Sequence, residues 1–217
     1  MSFPAALTGN PRLSGAVLIL AVTLAYANSL RVPFQFDDSE AIVENARIRT
    51  LWPPWHSMVA DAPGQPVDGR PLFGFTLAVN YALAKEAHER DATEKDERKR
   101  EAPIGYHAVN IGIHVLATLV LFGLLRRILR LPVLNGRYGS EADGLALVAA
   151  MIWGLHPLQT ESVTYISQRT ESMMGMFYLA TFYCFLRGVP PTLPLPRKGG
   201  GNQEEAVPAD TLPLDGG

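Results

Sequence analysis

Two adjacent acidic residues, Asp37 and Asp38, are the clearest candidates for chemistry in this chain of 217 residues. They follow the apolar Phe34 and Phe36 and lie about seven residues beyond the end of a long apolar run. Paired carboxylates can take a proton from an acceptor hydroxyl, or bind a divalent cation through oxygen. The alternative for two neighbouring acids is a solvated turn or a helix cap.

A polar stripe interrupts a later apolar run. His107, Asn110 and His114 recur at i, i+3 and i+7, so they share one helical face near the outer end of that helix. Hydrogen bonding to neighbouring helices is the structural explanation, and we favour it over metal binding because two histidines supply too few ligands. A role in substrate contact stays open.

Ionisable residues also gather in a polar connector between two short apolar segments: His156, Glu161, Arg169 and Glu171. Charged groups close to hydrocarbon are costly, so function is the first hypothesis for them. An ion pair between Glu161 and Arg169 is the structural alternative, and the Arg169 guanidinium could instead bind a phosphate. Arg70, just before another short apolar segment, is a second candidate phosphate contact.

The elements that must position these residues are apolar runs, because hydrophobic residues are bunched and not spread in amphipathic periods. The predicted fold is an all-α integral membrane protein. For the apolar run near the N-terminus, a cleavable signal peptide ending near Ala25–Ala27 is the alternative to a first membrane span. The polar connector should line a cavity, since unpaired backbone at membrane depth is tolerated only inside protein or beside water. The four predicted spans are residues 13–30, 105–125, 144–157 and 172–187.

Basic residues set the predicted orientation. Four arginines follow the second span in a short, acid-poor loop, which the positive-inside bias places in the cytoplasm. The loop of residues 32–103, with Asp37 and Asp38, then lies outside, and both termini lie inside. Within that loop, Leu72–Ala84 is apolar for only about 13 residues, which suits an interfacial or re-entrant helix. The four arginines are Arg126, Arg127, Arg130 and Arg137.

The remaining segments carry little chemistry. The stretch Lys85–Glu101 alternates in charge and predicts a solvated helix. The Pro/Gly-rich tail of residues 188–217 predicts disorder. The single cysteine, Cys184, lies in an apolar run and is expected to pack there. A net charge of -2 gives no sign of nucleic-acid binding.

Four motifs in order resemble a known family: NSLRVPFQFDDSEAIVENARI, GRPLFGFTLAVNYAL, YHAVNIGIHVLATLVLFGLL and MIWGLHPLQTESVTYISQRTESMMGMFYLATFYCFLRG. The chain is similar, over residues 24–188, to the N-terminal part of membrane glycosyltransferases that join a multi-span GT-C region to tetratricopeptide repeats. That family is related to protein O-mannosyltransferases. The ordered series is more specific than any one motif.

The resemblance implies an inverting transfer, on the outer or luminal face, from a polyprenyl- or dolichyl-phosphate sugar to a hydroxyl of a protein or glycan. By the family pattern Asp37 would be the base and Asp38 would assist, or the pair would bind a divalent cation. Arg70 and Arg169 would contact the lipid phosphate. The resemblance leaves the individual roles of His107, Asn110, His114, His156, Glu161 and Glu171 unassigned.

Two departures from the family pattern affect the expected activity. Lys85–Glu101 resembles an insertion, and the chain ends after four spans where relatives continue. We therefore expect an incomplete transferase that needs a polypeptide supplying the remaining spans, in a bacterial inner membrane in preference to the endoplasmic reticulum. The alternatives are a non-catalytic membrane assembly module or truncated gene product, and a proton or ion transporter using His107, His114 and Glu161.

Overall fold

The computed structural model of the chain describes residues 10–89 and 103–188. This part consists of helices and the loops that join them and contains no strand, so the all-α prediction is confirmed for it. Most of the predicted Lys85–Glu101 helix and the tail from residue 189 lie outside the described residues. The main helices are α1 (Pro11–Tyr26), α2 (Pro71–Glu89), α3 (Pro103–Leu129), α4 (Pro132–Tyr138), α5 (Ala142–Gly154) and α6 (Arg169–Gly188).

Short helices fill the two connections that matter for the site. The first connection joins α1 to α2, and the second joins α5 to α6. Each short helix has only three to five residues, so its position is set by tertiary contacts and not by its own helical stability. They are Ala27–Arg31, Ser39–Val43, Ala46–Arg49, Trp55–Met58, Pro157–Gln159, Thr160–Thr164 and Ile166–Gln168.

Among the described residues, two helical segments are long and apolar enough to cross a membrane, namely Pro11–Arg31 and α3 with its 27 residues. They coincide with the first two predicted spans. The third predicted span falls largely in α5, whose 13 residues cover only about 20 Å. The fourth falls in α6. Two apolar helices indicate membrane association, and the four-span count stays a prediction.

Helix α3 is the centre of a bundle with α1, α5 and α6. One apolar cluster joins Leu18, Phe122 and Leu147, and a second joins Val22, Ile111 and Val163 nearer the other end. Gly154 at the end of α5 permits the closest approach, because a Cβ there would lie 2.9 Å from Thr118 on α3. These contacts require α1, α3, α5 and α6 to run alternately up and down between two ends.

The connection from α1 to α2 folds into a compact layer over one end of the bundle. Its core joins Ile42, Ile48 and Val67 to Phe73 and Leu77 on α2. The same cluster includes Tyr106 on α3 and Ile166 in the second connection. Because the cluster draws on both connections, it brings the two candidate site segments together.

The opposite end of the bundle is closed by Asp143, on the first turn of α5. Arg126 on α3 donates two hydrogen bonds to this carboxylate, at 2.8 and 3.2 Å. Arg130 donates a third at 2.7 Å. Arg127 instead donates to the carbonyl of Leu186, at the C-terminal end of α6. Three of the four predicted cytoplasmic arginines therefore tie α3, α5 and α6 together at this end.

We expect Asp143→Asn to destabilise the bundle, because it leaves two arginines without their shared carboxylate. The loss should be roughly 1–3 kcal/mol, less than for a fully buried pair because Arg130 is half exposed. Thermal unfolding in detergent measures the change. Glu141→Gln, two residues away and exposed, is the matched control. Equal melting temperatures for the two variants would contradict this role for Asp143.

Candidate functional site

The two adjacent carboxylates point in opposite directions. Asp38 is 1% exposed, whereas Asp37 is exposed to solvent. The preceding Phe36 has a positive φ of 45°, which is rare for a residue with a Cβ. This turn, followed by the short helix Ser39–Val43, places Asp38 against the protein and leaves the Asp37 side chain outside. Neighbouring acids of the same type thus have different environments.

Asp38 links the two connections. One of its carboxylate oxygens, Oδ1, accepts hydrogen bonds from the N–H of Ser167 at 2.8 Å and from the Ser167 hydroxyl at 2.7 Å. The other, Oδ2, accepts a hydrogen bond from the N–H of Gln35 at 3.2 Å. A carboxylate held by three donors is a structural anchor with little capacity left for a ligand.

Tyr165 supports Asp37 from the second connection. The Tyr165 hydroxyl accepts a hydrogen bond from the N–H of Asp37 at 3.1 Å. Burial raises the pKa of Tyr165, and the Asp37 and Asp38 carboxylates raise it too, against the effect of the backbone hydrogen bond. The phenol is therefore neutral at neutral pH and can donate to the Asp37 carboxylate. The Phe36 ring packs edge-on against the Tyr165 ring at 6.2 Å.

Arg169 lies beneath this arrangement and is fully buried. Its Nε donates to Oδ1 of Asn110 at 2.7 Å, and Nη2 donates to the carbonyl of Tyr106 at 3.0 Å. Nη1 donates to the hydroxyl of Thr76 at 3.2 Å. The guanidinium therefore joins α2, α3 and the start of α6. No ion pair with Glu161 forms, and in this arrangement the guanidinium presents no face to a ligand outside.

The polar stripe on α3 hydrogen-bonds carbonyls of other segments. Nδ2 of Asn110 donates to the carbonyl of Val163 at 3.2 Å, and Nε2 of His107 contacts the carbonyl of Val32 at 2.9 Å. The latter contact assigns the proton to Nε2 of His107 and leaves Nδ1, which has no protein partner, as the acceptor. These contacts are the interhelical bonding that the stripe predicted as its structural alternative.

His114 lies deeper in the bundle, away from the acidic pair. Its Nε2 contacts the carbonyl of Gly154 at 2.9 Å. Its ring packs edge-on against Tyr26 at 5.3 Å and beside Trp153 at 5.2 Å. His114 thus joins α1, α3 and α5 in the middle of the bundle.

Four other predicted site residues are exposed and do not contact the carboxylates. The guanidinium of Arg70 donates at 3.4 Å to the carbonyl of Pro66. Nδ1 of His156 accepts a hydrogen bond at 3.2 Å from the N–H of Leu158 and so caps the short helix that follows. Arg70, His156, Glu161 and Glu171 are all on the surface of the described part of the chain.

A divalent cation fits these residues poorly. Between residues 10 and 89 and between 103 and 188, no three His, Cys, Asp or Glu side chains are grouped closely enough to hold a metal ion. Asp38 turns its oxygens to N–H and O–H donors, so Asp37 is the only free carboxylate of the pair. Divalent cations in proteins take several oxygen ligands, and this pair supplies too few.

Sequence reasoning missed three residues of the site: Tyr165, Ser167 and Thr76. It singled out ionisable side chains in the polar connector and passed over the hydroxyl groups between them. The usable signal is that Tyr165 and Ser167 stand at alternate positions in the same polar stretch as Arg169. Thr76 gives no such signal, because it is one hydroxyl in an apolar helix and Ser/Thr hydroxyls there commonly bond their own backbone.

Comparison with known proteins adds to this geometry. Human protein O-mannosyl-transferase TMTC4 is 32% identical over 180 residues, covering 74% of this chain and 21% of the relative. Protein O-mannosyl-transferase F38B6.6 of Caenorhabditis elegans is 29% identical over 171 residues, which cover 76% of this chain and 21% of the relative. Protein O-mannosyl-transferase Tmtc3 of Drosophila melanogaster is 28% identical over 188 residues, which cover 79% of this chain and 19% of the relative.

No protein-family model matches the chain, and no solved structure matches it significantly. The chain spans about a fifth of the length of the curated relatives it matches. Along about three quarters of its own length, the chain is a relative of the curated protein O-mannosyl-transferases, as its four ordered motifs predicted.

Proposed function

We propose that this chain forms the base-bearing part of an inverting glycosyltransferase that uses a lipid-phosphate sugar and acts on hydroxyl acceptors. The relatives' names support transfer of mannose to protein, and the two long apolar helices suit a donor held in a membrane. The arginines at one end of the bundle favour a cytoplasmic location for that end. The acidic pair then lies on the exoplasmic side, both termini lie inside, and we favour a bacterial inner membrane.

The observation that carries the proposal is the division between the two acids. Asp38 is buried and held by three donors, so it fixes the backbone on which Asp37 stands. The Asp37 N–H bonds Tyr165, so its backbone is held on a second side while the carboxylate stays exposed. A base must be accessible and rigidly placed, and only Asp37 meets both conditions in this pair.

In the proposed step, the Asp37 carboxylate accepts the proton of the acceptor hydroxyl as that oxygen bonds to the anomeric carbon of the donor sugar. The bond from this carbon to the phosphate oxygen breaks, and the electron pair leaves with the lipid phosphate. Attack opposite the leaving group inverts the carbon. Arg70 is the exposed cation that we assign to the departing phosphate. In this scheme neither Asp37 nor Asp38 binds a metal ion.

Arg169 positions the site and does not contact the donor in this scheme. Its guanidinium holds α2, α3 and the second connection together, and that connection carries both Tyr165 and Ser167. Any shift of this segment moves the groups that hold Asp37 and Asp38. Misplacement of a base by about 1 Å can cost on the order of a hundredfold in rate.

We expect Asp37→Asn to lower transfer at least a hundredfold, on the order of the contribution of a general base, with the melting temperature unchanged. Asp38→Asn should lower both the transfer rate and the melting temperature, because Ser167 and Gln35 lose their charged acceptor. The measurement is mannose transfer from polyprenyl-phosphate mannose to a Ser/Thr peptide in proteoliposomes, alongside thermal unfolding. Glu40→Gln, exposed and on the short helix that follows the acidic pair, is the control.

Full transfer by Asp37→Asn would remove the base assignment. Absence of transfer by the unsubstituted chain, both alone and together with the products of neighbouring genes, would contradict the enzymatic proposal. That result would favour the non-catalytic assembly module.

Tyr165→Phe should lower transfer about fivefold, the effect of losing one hydrogen bond of about 1 kcal/mol at the base. The phenyl ring keeps the contact with Phe36, so the melting temperature should change little. The same transfer assay measures the effect. Tyr178→Phe, exposed on α6, is the matched control and should retain full activity.

Arg169→Lys should lower both stability and transfer although it keeps the positive charge. An ammonium cannot reproduce the planar fork that reaches Asn110, Thr76 and the Tyr106 carbonyl together. We expect a loss of about 1–3 kcal/mol in unfolding free energy from buried groups left unpaired. Unfolding and transfer are measured side by side. A stable Arg169→Lys protein with a selectively raised KM for the lipid donor would instead assign Arg169 to phosphate binding.

The geometry gives no support to a proton or ion transporter. His107 and His114 bond separate backbone carbonyls, and Glu161 is exposed and bonded to neither. A transport path needs ionisable groups facing a shared cavity. Proteoliposome flux abolished by His114→Ala would revive that function.

A further inference from the structure

The first connection carries an apolar patch that the transferase proposal does not use. Trp52 is 79% exposed and Trp55 is 61% exposed, with ring centroids 6.4 Å apart. Leu51 and Val59 are also exposed. Most of the surface of both tryptophans is left uncovered by the described chain, which is typical of a site that binds something else.

The patch is held firmly by helix α2. The backbone of the short helix Trp55–Met58 approaches α2 so closely that a Cβ added at Gly74 would lie 1.9 Å from the Ser57 carbonyl oxygen. Ser57 is itself buried, and its hydroxyl donates to the Pro54 carbonyl at 3.0 Å. The tryptophans therefore stand on a rigid base.

The position of the patch follows from the contact between α2 and α3. Nδ2 of Asn80 donates to the carbonyl of Gly105 at 3.1 Å, in the first turn of α3. Gly74 and Asn80 are six residues apart on α2, which is about 9 Å along the helix axis. If α3 crosses the membrane, its first turn marks the edge of the hydrocarbon. The patch then lies close to the headgroup layer, which is several ångströms thick on each side.

The charge around the patch suits lipid headgroups. The segment 51–59, LWPPWHSMV, contains no carboxylate, and its one titratable side chain is His56. Three acids of this connection, Glu40, Glu44 and Asp61, line a hollow whose lining includes neither tryptophan. Indole rings with an apolar body and one N–H donor are enriched at membrane–water interfaces for this reason.

We propose that Trp52 and Trp55 insert into the lipid headgroup layer on the side of the membrane where Asp37 lies. The two rings anchor the first connection to the bilayer surface. Because Asp37 belongs to the same folded layer, the anchor sets the height of its carboxylate above the membrane. This inference needs α3 to span the membrane but does not need the chain to transfer sugar.

Tryptophan fluorescence tests the anchor, because the chain has only three tryptophans. Trp153→Phe leaves Trp52 and Trp55 as the emitters, and the matched control Trp52→Phe with Trp55→Phe leaves Trp153. Both proteins are placed in phosphatidylcholine/phosphatidylglycerol vesicles with a quencher attached near the headgroup or deep in the acyl chain. For Trp153→Phe, the shallow quencher should act at least about twofold more strongly than the deep one.

Quenching by aqueous iodide distinguishes tryptophans inserted in the headgroup layer from tryptophans exposed to water. Insertion predicts that iodide quenches Trp153→Phe less in vesicles than in the urea-unfolded protein. Strong iodide quenching in vesicles with no effect of either lipid quencher would overturn the anchor. Protection that falls as the protein is diluted into excess lipid would also overturn it, because it would assign the patch to a second copy of the chain. Neither readout uses activity, so a failed transferase assay leaves this test intact.

Discussion

Burial of the Arg169 guanidinium is the constraint on which the site depends. Removing a cation from water is costly unless its donors are satisfied, so the surrounding groups must be placed accurately. Three elements supply acceptors: Asn110 and the Tyr106 carbonyl on α3, and Thr76 on α2. Asp38 provides opposite charge nearby. The second connection cannot move away from α2 and α3 without breaking this set of bonds.

The contacts of Asp38 extend the same constraint to the first connection. Ser167 lies two residues before Arg169 and donates twice to Asp38. Residues 167–169 therefore include both the buried cation and the residue that binds the buried carboxylate. Asp37 takes its position from this network although its own side chain is outside. A rigid network below an exposed carboxylate is the arrangement that preorganised catalysis requires.

The sequence correctly predicted the helical class, the first two long apolar helices and the relationship to O-mannosyl-transferases. Apolar runs and ordered motifs are local signals, so they survive without knowledge of the fold. It also placed the polar stripe of His107, Asn110 and His114 on one helical face. It ranked Asp37 above Asp38 only by resemblance and did not predict that Asp38 is buried, because that burial arises from the positive φ of Phe36 and from Ser167, which is 129 residues from Asp38. For the same reason it left open whether Arg169 pairs with Glu161 or binds a phosphate, since the partners of Arg169 in the structure are distant in sequence.

The two tasks of the proposed transferase, holding the base and enclosing the donor, make different demands on the chain. Holding a base requires only the contacts around Asp38, Tyr165 and Arg169, and all of them lie within the described residues. Enclosing the proposed lipid-linked donor would require a large surface around it, and the curated relatives are about five times longer than the segment that matches this chain. Positioning of Asp37 is thus a local property of this fold, whereas enclosure of the donor is not.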